Sequence, residues 1–307
     1  SVRSFVVDTD AGSDDAVALL LAIREPLIEL RAITTVAGNV PVDLAVRNAL
    51  ITLDVCGAPD VPVFAGAAAP RARPLETAQF VHGDDGMGGA PLPEPSRPAT
   101  DGDAVDELLR IAQHEPGRHE LVTLGPLTNI AAALDTNPHV LEAFGHVWLM
   151  AGAPDGVGNV NALGEYNVWA DPEAASIVLG AAGHKTLIGW NISRLHAVID
   201  ADEQQRLRAC GPLGEFAIDI NGDVDAYALA TGLAGMDFPD PVAMAVAIDH
   251  SIILESTHEW LVVGLDEPTR GCTFPDRRHG ADPANIRVVW KVDEAAFKQR
   301  LFDACRA

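Results

Sequence analysis

The segment Asp8-Thr9-Asp10-Ala11-Gly12-Ser13-Asp14-Asp15 constrains this chain more than any other, because it places four carboxylates within eight residues. It follows Phe5-Val6-Val7, a short apolar run that reads as a strand buried on both faces. It precedes Ala16 to Ile23, a run rich in Ala and Leu that reads as a helix. The acids therefore fall between the carboxyl end of a strand and the first turn of a helix, the crevice in which open α/β sheets bind ligands. Gly12 permits a sharp turn there, and Asp14 or Asp15 can cap the helix. Capping accounts for one or two acids, since an anion at a helix N-terminus gains only about 0.3–1 kcal/mol. Four acids this close repel one another unless a cation or several donors compensate them, and oxygen ligands of this kind suit Ca2+ or Mg2+.

The spacing excludes an EF-hand, whose loop needs Gly at its sixth position and Glu at its twelfth; counted from Asp8 these are Ser13 and Leu19. An Asp-x-Asp after a first strand is also the arrangement of aspartate-nucleophile phosphatases, with Asp8 as nucleophile and Asp10 as acid/base. That alternative lacks a basic residue placed to hold phosphate.

With Ala16-Val-Ala-Leu-Leu20 added, the octapeptide resembles the signature of the inosine-uridine-preferring nucleoside hydrolases, with Ala11 where that family usually has Pro. Further motifs resemble the family in order and spacing. They are Gly38-Asn39, the His82-Gly-Asp-Asp-Gly-Met-Gly88 flap, Gly125-Pro-Leu-Thr-Asn-Ile-Ala131, Gly158-Asn159 with Glu165-Tyr-Asn167 and Ala170-Asp-Pro-Glu173, and Phe238-Pro-Asp-Pro241. The resemblance covers about residues 4–250 and implies an open, mostly parallel Rossmann-like α/β sheet with helices on both faces. It also implies a peripheral antiparallel strand pair near the C-terminus.

Periodicity agrees with that class. Strands are expected at Leu30–Val36, Val61–Ala65, His119–Leu124, His146–Met150 and Lys185–Gly189, alternating with helices near Val42–Val55 and Asp103–Gln113. Residues 67–100 read as a long loop without a regular element, 251–263 and 286–292 as late strands, and Glu294–Arg306 as a closing helix. No composition shift or repeat divides the chain, so a single domain over 1–307 is expected.

Composition narrows the partners. The net charge of −23 in 307 residues argues against nucleic acid and anionic membranes. No run approaches the roughly eighteen apolar residues of a membrane span, and no basic-then-apolar segment opens the chain. Cys56, Cys210, Cys272 and Cys305 are scattered and read as free thiols. The expectation is a soluble, cytoplasmic enzyme acting on a small ribonucleoside, and a homo-oligomer (dimer or tetramer).

The resemblance also implies residue roles. Ca2+ would be held by Asp10, Asp15, the Leu124 carbonyl and Asp240, with Asp10 as general base and Asp14 on the ribose 2′-hydroxyl. The substrate would contact Asn39, His82, Met150, Asn159, Glu165, Asn167 and Tyr227. At Pro239 the chain departs from the family, whose leaving-group His stands there; Pro cannot transfer a proton. Tyr227, Asp223, His82 and His196 are the candidate replacements. Asp223, Tyr227 and Thr231 share a helical face by their i, i+4, i+8 spacing. A non-catalytic ribonucleoside-binding protein would explain the ribose contacts and Pro239 equally well, and base preference is not legible.

Overall fold

The computed structural model describes residues 1–278, 280 and 282–306, so the last residue of the expected domain, Ala307, lies outside the described residues. Eight strands form the main sheet: β1 (Arg3–Thr9), β2 (Ile28–Thr35), β3 (Val63–Ala65), β4 (His119–Thr123), β5 (Val147–Met150), β6 (Lys185–Ile188), β7 (Ile253–Glu259) and β8 (Ile286–Val292). Their spatial order is β3-β2-β1-β4-β5-β6-β8-β7. All neighbours are parallel except β7 and β8. The order reverses between β1 and β4. Ligands of open α/β sheets bind at the strand ends beside such a reversal, and here those ends carry Asp8–Asp10 and Leu124.

Both faces of the sheet are covered, as the apolar strands require. Alternate residues serve opposite layers: Phe5, Val7, Val122, Met150 and Ile188 pack into one core, Val6, Leu121, Leu149 and Leu187 into the other. In the first layer the helix Ser13–Arg24 is buried from Ser13 to Ala22 and packs against the helix Pro239–Ile248, buried from Asp240 to Ala247. A helix with water on neither side must be apolar all round, which accounts for the Ala, Val, Leu and Met content of both.

Four sequence expectations shift. The strand expected over Val61–Ala65 contains only Val63–Ala65. The segment 251–263 divides: Ile253–Glu259 joins the main sheet, while Leu261–Val263 pairs with Thr273–Pro275 in a separate ribbon. The expected antiparallel pair is β7 with β8, fused to the main sheet where Arg287 and Val288 pair with Thr186 and Leu187. The long loop contains one helical turn, Gln79–His82, immediately before its glycines.

Candidate active site

The acid turn is assembled from both sides of the sheet reversal. Asp10 leaves β1, and its Oδ2 accepts the backbone N–H of Asn39 at 2.7 Å. Asp15, in the first turn of the helix Ser13–Arg24, accepts from Thr9 Oγ1 at 2.6 Å, from Gly12 N at 3.1 Å and from Asn39 Nδ2 at 3.2 Å. Asp240 arrives in the first turn of the helix Pro239–Ile248, and its N–H donates to Asp14 Oδ2 at 3.4 Å. Two helix N-termini thus converge on the acids, and their partial positive charge offsets part of the repulsion.

Carboxylate oxygens of Asp14, Asp15 and Asp240 lie within 4.8 Å of one another, all buried. Asp10 is fully buried beside them, and its Oδ1 has no hydrogen-bond partner. Burial, and next the charge of Asp15, hold the Asp10 and Asp14 carboxyls well above the usual carboxylate range; burial and the charge of Asp14 do the same to Asp240. Buried acids that repel one another, with an orphaned oxygen among them, form a cation site by the chemistry of their donors. Gly38 and Gly125 leave it room: a Cβ on Gly125 would come within 3.0 Å of Asp10 Oδ1, and one on Gly38 would collide with Oδ2.

Asp8 does not belong to this group. It is buried within β1, where its Oδ2 accepts from Thr34 Oγ1 at 2.7 Å and Asn129 Nδ2 at 2.9 Å, and burial raises it to about 6. It lines no part of the cavity and, unlike Asp10, is not beside the other acids, which gives the phosphatase alternative no support. Asp8 thus stands apart from the cluster because Thr34 and Asn129 engage its Oδ2 within the sheet, and it was not among the expected metal ligands.

A cavity opens in front of the acids. Asp14, Asn39, His82, Leu124, Met150, Asn159, Glu165, Asn167, Tyr227 and Asp240 all line it, whereas Asp10 and Asp15 lie behind. The Leu124 carbonyl, one of the expected Ca2+ ligands, accepts from Asn167 Nδ2 at 2.9 Å. The same nitrogen donates to Met150 O at 3.0 Å. Glu165 caps the short helix Tyr166–Ala170, its two oxygens accepting from Gly152 N and Asn167 N at 2.7 Å each. Burial raises its carboxyl to about 7. Asn159 Oδ1 accepts the N–H of Tyr166 at 3.0 Å.

His82 sits in the wall because its Nδ1 lies 2.9 Å from Ser13 Oγ. Burial pushes its imidazole down to about 4, against the pull of Asp15 and Asp223, so the ring is neutral at pH 7. Tyr227 and Thr231 reach the cavity from the helix Gly222–Ala230 and its end, but the exposed Asp223, whose carboxylate lies beside Gly83 of the flap, and His196 do not line it. Sequence reasoning missed Asp237 and Trp190, both in the wall and joined by a 2.8 Å bond from Trp190 Nε1 to Asp237 Oδ2. Asp237 ends a two-residue strand, Met236–Asp237, just before the helix Pro239–Ile248, and no periodicity in so short an element marked its direction. The remaining wall, including Phe80, Val81, Val160, Val224 and Leu233, is apolar.

A carboxylate cluster at a sheet reversal, fronted by amides and an apolar wall, makes a ligand cavity with mixed polar and apolar lining on an open α/β scaffold. Comparison with known proteins agrees. Residues 5–299 match the profile of the family described as inosine-uridine preferring nucleoside hydrolase. The chain is 49% identical to an uncharacterized protein of Schizosaccharomyces pombe over 97% of each chain. It is 34% identical to the pyrimidine-specific ribonucleoside hydrolase of Shewanella woodyi over 96% of this chain and 95% of that one. It superimposes on the purine-preferring ribonucleoside hydrolase from Gardnerella vaginalis with a TM-score of 0.92 and 32% identity, over 99% and 98% of the two chains. The chain belongs to the inosine-uridine preferring nucleoside hydrolase family. It is an enzyme that hydrolyses the N-glycosidic bond of ribonucleosides.

Proposed function

We propose that this hydrolysis runs at a Ca2+ site formed by Asp10, Asp15, Asp240 and the Leu124 carbonyl, with Asp14 facing the substrate. The observation that carries the proposal is the group of buried acids within 4.8 Å, next to the unpartnered Asp10 Oδ1. An all-oxygen set of carboxylates and a carbonyl suits Ca2+ better than Mg2+, which demands stricter octahedral geometry. Once bound, the ion would neutralise the acids, orient sugar hydroxyls and make a water easier to deprotonate.

The chain supplies the rest. Asp10 takes the proton from the attacking water, which adds to C1′ as the C1′–N bond breaks and its electron pair leaves with the base. Asp14 accepts from the ribose 2′-hydroxyl. Asn159 offers its Nδ2 and Asn167 its Oδ1 to the sugar, since their other amide atoms are already bonded inside the protein. Positive charge developing on the ribose ring is stabilised by the surrounding carboxylates. The apolar wall receives the base, and among the four candidate acids only His82 and Tyr227 can reach it. His82 is held neutral and bonded to Ser13, which leaves the Tyr227 hydroxyl as the proton donor we favour.

The relatives include pyrimidine-specific and purine-preferring enzymes at similar identity, so base preference rests on the wall rather than on kinship. Four free thiols suit a reducing compartment, and we place the protein in the cytoplasm. Steady-state hydrolysis of inosine, uridine and 4-nitrophenyl riboside, with chelator and then with Ca2+, tests the reading. Chelator-sensitive, Ca2+-restored release of free ribose is expected; full activity of a verified metal-free preparation would overturn it.

A further inference from the structure

Asn48 stands outside the machinery described so far. It is fully buried on the helix Val42–Val55 and lines no part of the cavity. Its Nδ2 donates to two carbonyl oxygens, Ala11 O at 3.0 Å and Asp85 O at 2.8 Å. Both partners are acceptors, so the amide nitrogen must stand between them, and each of its two hydrogens has one target.

The two partners belong to the two loops that shape the site. Ala11 lies inside the acid turn with φ 34°, the one non-glycine residue with positive φ among the described residues. An alanine keeps that conformation only where its surroundings hold it. Its N–H is held by Thr9 Oγ1 at 3.0 Å and its carbonyl by Asn48. Asp85 lies in the flap, where its Oδ1 accepts from Met87 N at 2.8 Å and Gly89 N at 3.1 Å, so that the glycines close into a compact turn. The turn sits directly on Asn48: a Cβ added to Gly86, at φ 78°, would lie 2.7 Å from Val40 Cγ1 and 3.0 Å from Asn48 Nδ2.

We propose that Asn48 is a positioning residue, the shared donor that seats the flap turn 83–89 on the acid turn 10–12 and so keeps His82 and the carboxylates in one arrangement. This deepens the nucleoside-hydrolase reading, and the function inferred for Asn48 rests on it. Losing the amide leaves two buried carbonyls unpaired, and the cheaper way for them to find water is for the flap to lift. The link through His82 and Ser13, the bond from Ala78 N to Asn39 O and the buried Met87 would then be left to hold the flap.

The test uses Asn48→Leu, which keeps the side chain's bulk and removes the donor, and Gly86→Ala, which pushes the flap away from an intact Asn48. Amide hydrogen exchange of residues 83–89, melting temperature, and kcat and KM on 4-nitrophenyl riboside are measured for both. Each variant is expected to exchange its flap amides about tenfold faster than wild type, from the loss of one buried hydrogen bond, while strand β4 stays protected. KM should rise by a similar factor with kcat changed less, and the double variant should be no worse than the worse single one. A folded Asn48→Leu with shifted melting temperature but wild-type flap exchange and KM would make Asn48 a core filler and overturn the proposal. If Asn48→Leu does not fold, the same outcome in Gly86→Ala overturns it. The exchange measurement needs no turnover, so it tells a failure of the seating from a failure of the hydrolase reading.

Discussion

Asp240 and Asp14, 226 residues apart, are joined by a hydrogen bond from the backbone N–H of one to Oδ2 of the other. The contact exists because the helices Ser13–Arg24 and Pro239–Ile248 pack against each other with their N-termini side by side. The cation site is thus a property of a helix pair rather than of one loop.

Asp10→Asn should test the proposed base. The substitution keeps an oxygen to accept the Asn39 N–H and removes both proton acceptance and one negative charge. We expect kcat to fall by at least the roughly 10²–10⁴-fold of general-base loss, with a melting temperature near that of wild type. Retention of a tenth of wild-type kcat would place the base elsewhere.

Metal removal should make stability depend on pH in a defined direction. Asp10, Asp14 and Asp240 have folded values well above their unfolded ones, so the metal-free folded state binds more protons than the unfolded chain. Its stability therefore falls as pH rises. His82 is depressed to about 4 from its ordinary 6.5 and works the opposite way. Its stabilisation is lost as pH falls below about 6.5, so it leaves the alkaline side clear. Glu165, raised by burial to about 7, loses its share of this stability as pH rises through that value. Between pH 6.5 and 8 the metal-free protein should therefore melt at progressively lower temperature, and saturating Ca2+ should flatten the part of the slope that comes from the acid cluster. A rising melting temperature across this window without metal would contradict the charge arrangement.

Glu165→Gln should be costly although it is nearly isosteric. Both carboxylate oxygens accept backbone N–H groups, and the glutamine NH2 would face one of those donors. We expect a loss of about 1–3 kcal/mol from one unsatisfied buried group, seen in denaturant unfolding, together with a raised KM. Unchanged stability would mean that the loop 151–165 adjusts freely.

The departure at Pro239 should be visible in leaving-group dependence. If Tyr227 donates the proton, Tyr227→Phe should slow inosine or uridine hydrolysis about 10²-fold or more while sparing 4-nitrophenyl riboside, whose leaving group needs no acid. Equal losses on both substrates would make Tyr227 a packing residue of the wall, where its ring meets Phe80 edge-on at 5.8 Å.

The local signals in this chain were strong where burial is complete. Phe5–Val7 and Ala16–Ile23 could be read directly, because a strand or helix without a wet face must be apolar throughout. Asp14, Asn39, Met150, Asn159, Glu165, Asn167 and Asp240 were found through motifs and do gather at the cavity. Asp223 and His196 were not separable from Tyr227 and His82, since a helical spacing names a face but not what that face meets.

What the amino-acid order determined by itself was the sheet class, the acid-bearing strand-to-helix turn and the residue types available for chemistry, all of which follow from periodicity and local turn chemistry. Only the tertiary structure decided that Asp8 is a buried strand residue bonded to Thr34 and Asn129, and that the two packed helices bring the N–H of Asp240 onto Asp14. It alone revealed that Asn48 joins the acid turn to the flap and that Asp237 stands in the wall. The physical reason is common to all four: each depends on which side chain faces which across packed elements distant in sequence, and burial and mutual charge follow from that packing.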